Sequence, residues 1–248
     1  MAGHSKWSKI KRKKGANDAK RGKIFTKLIR EITVAAKNGS DPDANPRLRQ
    51  AIATAKSQSM PNDNIDRAIK KGSGDADNVN YEEICYEGYG PAGTAILVDT
   101  LTDNKIRTVA DVRHIFSKNG GSLGEPGSVA WNFDSKGMIT ITKTEKTEEE
   151  LFELAINAGA DDIATTAEGF EITTAPDALY QVKQNLERNN LKIESAELVK
   201  IAKNWVKVDQ SSAEKVLKLV DMLEDNDDVQ NVYTNSDIDE AILEALDA

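Results

Sequence analysis

GMITITKTEKTEEELFELAINAGADDIATTAEGFEITTAPDALYQVKQNLERNNLKIESAELVK, residues 137–200, is the stretch on which the fold turns. Met138-Ile139-Thr140-Ile141 holds three β-branched residues in a row, so it reads as a strand. Glu148 to Ala158 then puts Leu151, Leu154, Ala155 and Ala158 on one face at helical spacing. Asp162 to Ala167 and Gly169 to Thr174 read as two strands around a Glu-Gly turn. Ala178 to Arg188 reads as a second helix and Lys192 to Ile201 as a last strand. The order β-α-β-β-α-β is that of a ferredoxin-like unit, complete in itself.

The flanks look incomplete without each other. Upstream, Glu83 to Glu87 and Thr94 to Leu101 read as strands. Asn104 to Lys118 reads as a helix with Ile106, Val109, Val112, Ile115 and Phe116 inward, and Val129 to Phe133 as a further strand. Downstream come a short strand at Trp205 to Val208, a helix from Ser211 to Glu224 and a strand from Val229 to Thr234. These supply the final helix and strand that the upstream segment lacks. A short helix from Asp237 to Leu246 closes the chain.

The N-terminal quarter is helical by pattern. Asp18 to Lys37 carries Ile24, Leu28 and Ile32, widened by Phe25 and Ile29, and stops at Asn38-Gly39. Asn45-Pro46 opens a second helix with an N-cap followed by proline at the first helical position. That helix buries Leu48, Ile52 and Ala55 and ends before Pro61. A third, from Asn62 to Lys71, buries Ile65, Ala68 and Ile69 and stops at Gly72. Gly72 to Asn78 is a linker by composition. The expected fold is multidomain, α and α+β. It has a basic helical bundle (1–75), a middle α+β domain (80–135 plus 204–248) and a ferredoxin-like domain inserted in it (136–203).

Charge divides along the same lines. The 248 residues have a formal net charge of −8. Residues 1–71 hold 18 Lys and Arg against 6 Asp and Glu, a net +12, and the rest holds 15 against 35, a net −20. Such asymmetry points to a polyanionic partner for the basic end. The competing reading is a solvated face, or a basic domain docked on the acidic remainder. No apolar run approaches the roughly 20 residues that span a bilayer, so no membrane partner is expected. One cysteine, Cys85, cannot form an internal disulfide, which suits a reducing cytoplasm.

Signatures of catalysis are lacking. The only histidines, His4 and His114, have no ligand at metal spacing, and no G-x-S-x-G, Walker A or H-E-x-x-H pattern occurs. Gly88-Tyr89-Gly90-Pro91-Ala92-Gly93 matches G-x-G-x-x-G, but an extended run follows where a dinucleotide site requires a helix. It reads as a hairpin loop. The glycine-rich stretch Gly120 to Ser128 lacks a P-loop lysine and reads as a mobile connection, with phosphate-facing amides as the alternative. Glu224-Asp225-Asn226-Asp227-Asp228 lacks the EF-hand glycine and terminal glutamate, and reads as a solvated turn. Cys85 reads as a small apolar strand residue. No enzyme activity, cofactor, metal or small-molecule substrate is expected.

What remains is a basic constellation. Lys6, Lys9, Lys11, Arg12, Lys13 and Lys14 lie in an arm that cannot bury itself. Lys20, Arg21, Lys23, Lys27 and Arg30 follow on the first helix. Spacings of three and four put Lys20, Lys23, Lys27 and Arg30 on one face, apart from the apolar stripe. A basic face backed by a buried one suits phosphate tracking. Trp7 either stacks on a base or anchors the arm to the bundle.

Several ordered strings resemble those of the YebC/PmpR family. They are Ala2-Gly3-His4-Ser5-Lys6-Trp7 with Ile10-Lys11, Asn45-Pro46-Arg47-Leu48-Arg49, and Met60-Pro61-Asn62-Asp63-Asn64-Ile65. Further on come Tyr86-Glu87-Gly88-Tyr89-Gly90-Pro91, Leu101-Thr102-Asp103-Asn104, Gly127-Ser128-Val129 and Asn231-Val232-Tyr233-Thr234-Asn235. The resemblance covers essentially the whole chain and implies three domains, the third inserted in the second. It also implies a DNA-binding transcriptional regulator of the bacterial cytoplasm. The alternative it carries is a translation factor that binds ribosomal RNA on the ribosome, as similar mitochondrial translational activators do.

Overall fold

The computed structural model describes residues 18–74, 80–142, 144, 146–166 and 169–247, and the side chains of all of these but 18–21 and 247. Three helices come first: α1 (Asp18–Ala36), α2 (Pro46–Ser57) and α3 (Asn62–Ser73). Asn45 caps α2 by accepting the Leu48 amide, and its own amide group donates to the Ala35 and Gly39 carbonyls. One side chain thus starts one helix and closes the end of another. The bundle core holds Ile32, Ala35, Leu48, Ala55, Ile65 and Ala68, with Phe25, Leu28 and Ile29 against it. Ile24 is half-buried and lies outside that core.

Gly72 does not end α3 as expected but lies within it. A Cβ there would sit 2.1 Å from the Thr33 carbonyl oxygen and 2.8 Å from the Ala36 Cβ. The glycine is needed because the α3 backbone packs here directly on the Thr33 carbonyl and the Ala36 methyl of α1.

A four-stranded antiparallel sheet follows, in the order β3-β1-β2-β9, from β1 (Glu82–Tyr89), β2 (Ala95–Thr102), β3 (Ser122–Leu123) and β9 (Val229–Thr234). Central β2 is buried on both faces. Ile96 and Val98 meet α4 (Lys105–Lys118) and α7 (Gln210–Glu224), through Val112, Phe116, Val216 and Leu219. Ala95 and Leu97 pack on the other side with Val129, Phe133, Ala202 and Tyr233. The second sheet, in the order β5-β6-β4-β7, is also antiparallel and draws its strands from 133–202. These are β4 (Phe133–Thr142), β5 (Asp162–Thr165), β6 (Gly169–Thr174) and β7 (Ile193–Ala202). Helices α5 (Glu148–Ala158) and α6 (Leu179–Arg188) cover one face over Ile139, Ile141, Leu151, Ile172 and Leu186. This strand order is the one a β-α-β-β-α-β unit adopts. A short parallel pair, β8 (Val206–Lys207) with β10 (Ser236–Asp237), precedes the closing helix α8 (Glu240–Asp247).

Two local expectations fail for physical reasons. Val129 to Phe133 is no strand of the first sheet: a 3-10 turn occupies Ala130–Asn132, and Phe133 opens β4. The Glu87 carboxylate takes the Val129 and Ala130 amides that a ladder would have used. Ile106 is 77 % exposed. The inward face of α4 instead runs Thr108, Val112, Ile115 and Phe116, and Ile106 lies well round the helix from it.

Candidate nucleic-acid interface

Lys6, Trp7, Lys9, Lys11, Arg12, Lys13 and Lys14 lie outside the described residues, as do the side chains of Lys20 and Arg21. The other three predicted residues share a face of α1, and that face has a partner within the chain. Lys23 Nζ lies 2.6 Å from Asp225 Oδ1 and 3.2 Å from the Asp225 carbonyl oxygen. Lys27 Nζ donates to the Glu224 carbonyl oxygen at 2.6 Å. Arg30 Nη1 donates to the Asp227 carbonyl oxygen and to Asp228 Oδ1, both at 2.6 Å. The run 224–228, expected as a solvated turn, is the seat of the first helix. Its carbonyls close the C-terminal end of α7, where cations are favoured.

Asp228 is the centre of this joint. Its side chain is 4 % exposed and pairs with Arg30 and Arg107 at 2.6 and 2.7 Å. Thr108 Oγ1 donates to Oδ2 at 2.7 Å and Thr102 Oγ1 at 3.3 Å. Burial pushes the carboxyl up, but hydrogen bonds from Arg107, Thr108 and Arg30 outweigh it and hold Asp228 below the usual carboxylate range. A buried carboxylate so surrounded fixes the orientation of α1 against β2 and α4. Sequence reasoning missed Arg107 and Thr108. Their signal was the helix-opening Thr102-Asp103-Asn104, whose Asn104 caps the helix that presents both.

The bundle touches the second sheet as well. Gln50 on α2 donates to the Ala196 carbonyl of β7, and the Arg49 guanidinium lies 4.5 Å from the centroid of the Tyr180 ring on α6. Lys56, Lys70 and Lys71, which the sequence reading did not single out, are exposed at the ends of α2 and α3. They add to the charge of the same quarter of the chain.

The glycine-rich decoys resolve clearly. Gly88 and Tyr89 end β1, and Gly90 to Gly93 lead into β2 as a hairpin loop through a 3-10 turn at Pro91–Gly93. In the 120–128 loop, the Gly127 amide is engaged by Glu87 at 2.6 Å, as Val129 and Ala130 are at 2.8 and 2.7 Å. Those amides are not offered to a phosphate, and the loop is fastened where a mobile connection was expected. Cys85 is exposed on β1, not packed, with Lys200 Nζ 3.7 Å from its sulfur. Although the residue is exposed, partial desolvation of its sulfur against the neighbouring side chains and the charge of Asp99 push this thiol up to about 12, so it is a poor nucleophile. Among the described residues no group of His, Cys, Asp or Glu could hold a metal ion, and no helix is long and apolar enough to cross a membrane.

Fold and charge together define a mixed α and β protein whose basic helical bundle is keyed by its first helix to an acidic turn. Its relatives give that class a family. Residues 5–75 match the TACO1/YebC protein N-terminal domain and residues 81–236 the TACO1/YebC second and third domain. The chain belongs to the TACO1/YebC family. It is 56 % identical to a probable transcriptional regulatory protein of Desulforapulum autotrophicum, and equally to one of Geobacter sulfurreducens. Each match takes in 99 % of this chain and all of the relative. The crystal structure of a conserved hypothetical protein from Aquifex aeolicus superposes with a TM-score of 0.83 at 48 % identity, covering 90 % of this chain and 93 % of that one.

Proposed function

We propose that this protein is a non-enzymatic, cytoplasmic regulator of gene expression that binds nucleic acid through its basic N-terminal arm, with DNA as the first target. The carrying observation is the charge split, +12 in residues 1–71 against −20 in the remainder. Close relatives named as transcriptional regulatory proteins support the regulatory role. The arm residues Lys6, Lys9, Lys11, Arg12, Lys13 and Lys14 lead the interface, with Trp7 beside them and Lys20 and Arg21 continuing it. Lys23, Lys27 and Arg30 belong to it only when the acidic turn releases them. The division into 1–75, 80–135 plus 204–248, and 136–203 is part of the same proposal. It is supported by two sheets with separate cores, one of them drawn from 133–202.

One observation favours the second reading, a translation factor on ribosomal RNA. The basic row of α1 faces the protein's own acidic turn, so that row is not free to enter a major groove as a recognition helix does. Contact through phosphates and shape suits folded RNA as well as duplex DNA. Replacing Lys11, Arg12, Lys13 and Lys14 with Ala should weaken binding to both and flatten the log–log salt slope by up to about four units. A gel-shift titration against duplex DNA and structured RNA at several salt concentrations measures this. Undiminished binding sinks the arm mechanism, and the tighter of the two wild-type affinities at equal salt chooses between targets.

A further inference from the structure

Among the described residues four aromatic rings are exposed, Tyr89, Trp131, Phe152 and Tyr180, and two of them share one anchor. Trp131 is 64 % exposed and Tyr89 42 %. Both are tied to one atom: Tyr89 Oη and Trp131 Nε1 each donate to the Ser128 carbonyl oxygen at 2.9 Å. The two polar tips therefore lie within about 6 Å of each other, and one carbonyl oxygen tethers both rings. The loop carrying Ser128 and Trp131 is itself held from below. The buried Glu87 carboxylate accepts the Gly127, Val129 and Ala130 amides. Burial raises that carboxyl, but the three amide bonds outweigh it and keep Glu87 ionised below its usual range. Lys203 Nζ, 3.0 Å from the Trp131 carbonyl oxygen and shared with Asp134, borders the site with a half-exposed cation.

The geometry points to a stacking platform for unpaired nucleobases. This rests on the nucleic-acid reading above and names the part of the nucleic acid that the acidic remainder of the chain meets. Rings already tethered by a hydrogen bond lose less side-chain entropy than free ones when a flat ligand covers them. Their polar handles are already engaged, so what they offer is their faces. A base is recognised through its π-face regardless of sequence. An extended peptide is the poorer fit. Each of its residues brings a carbonyl that needs a donor once covered, and here the ring donors and the loop amides of 127, 129 and 130 are taken. Net negative charge around the platform is tolerable because stacking does not require a phosphate in contact. The arm supplies the electrostatic attachment, and the platform acts as a second contact at high effective concentration.

The test uses the full chain with Trp131→Ala and Trp131→Phe. The probes are an unstructured single-stranded RNA of about a dozen nucleotides and a fully paired duplex. Trp131→Ala should weaken single-strand binding about 10-fold, within the range for losing one stacked base. It should leave the salt slope and the duplex affinity unchanged, and Trp131→Phe should recover most of the loss. A thermal melt within a few degrees of wild type, as a mostly exposed side chain allows, shows that the fold is intact. Equal losses on both probes, a changed salt slope or no loss overturns the platform. If the arm variant loses duplex binding while Trp131→Ala binds single strands normally, the platform fails and the nucleic-acid reading stands. If the wild type binds neither probe, both fall.

Discussion

Asp228 concentrates at one residue what joins the first helix to the rest of the molecule. Its carboxylate meets Arg30 from α1 and Arg107 from α4, with Thr102 and Thr108 filling its remaining lone pairs. Removing the buried carboxylate strips these hydrogen bonds from Arg30, which is largely buried, and from Arg107, which is half-exposed and keeps Asp103, a cost of roughly 1.5–3 kcal/mol. Asp228→Ala is therefore expected to lower stability by about that amount in urea denaturation, far more than the typical surface substitution. The pH dependence follows from the depressed folded-state value. The unfolded chain then binds protons at a higher pH than the native one. The contribution is fully present above the ordinary carboxylate value of about 4 and is lost as pH falls through the lower folded value. The urea midpoint should drop steeply in that acid window for the wild type, and less steeply for Asp228→Ala. Parallel curves would show that the joint contributes little.

Among the elements, α1 and α3 show how packing overrules a local signal. Glycine after a lysine pair looked like a helix stop, yet α3 continues through Gly72 because its missing side chain lets the Thr33 carbonyl approach. Gly72→Ala should destabilise by about 1–3 kcal/mol by overpacking, although alanine is the better helix former. A rise in the melting temperature would deny the close crossing. The same contrast runs through what the sequence made legible. Apolar periodicity placed α5, α6 and the strands around them within a few residues, since each buries one face against a single neighbour. It failed at Ile106 and at 129–133, where polar groups decide: Thr108 faces inward to reach Asp228, and Glu87 gathers amides that would otherwise seek a ladder. At the candidate interface, spacing correctly put Lys23, Lys27 and Arg30 on one face. It could not say what that face meets, because the acidic turn lies about 200 residues away in sequence. Charge balance named both possible partners, polyanion and acidic remainder, without choosing.

At the scale of the whole molecule, the two sheets predict different fates for isolated fragments. Residues 133–203 contain all four strands of the second sheet and both covering helices, so this fragment should melt cooperatively, though with the marginal stability of about 70 residues. Residues 80–134 lack β9 and α7, and with them Val216, Leu219, Val220, Val229 and Val232 of their core, so that fragment should show no cooperative melt by circular dichroism. The docked bundle raises the last question, whether the α1 row binds nucleic acid or the protein itself. Lys23 and Lys27 already face the Glu224 and Asp225 carbonyls and the Asp225 carboxylate. A cation so engaged has little counterion atmosphere to exchange, so replacing both with Ala should change duplex affinity less than about twofold and leave the salt slope nearly the same as that of the wild type. The same double variant should loosen the bundle, and small-angle scattering should show a larger radius of gyration at low salt, where such pairs are least screened. The opposite outcome is equally readable. A slope flattened by about two units would mean that phosphates replace the acidic turn on these lysines, and that the bundle leaves its seat whenever nucleic acid is bound.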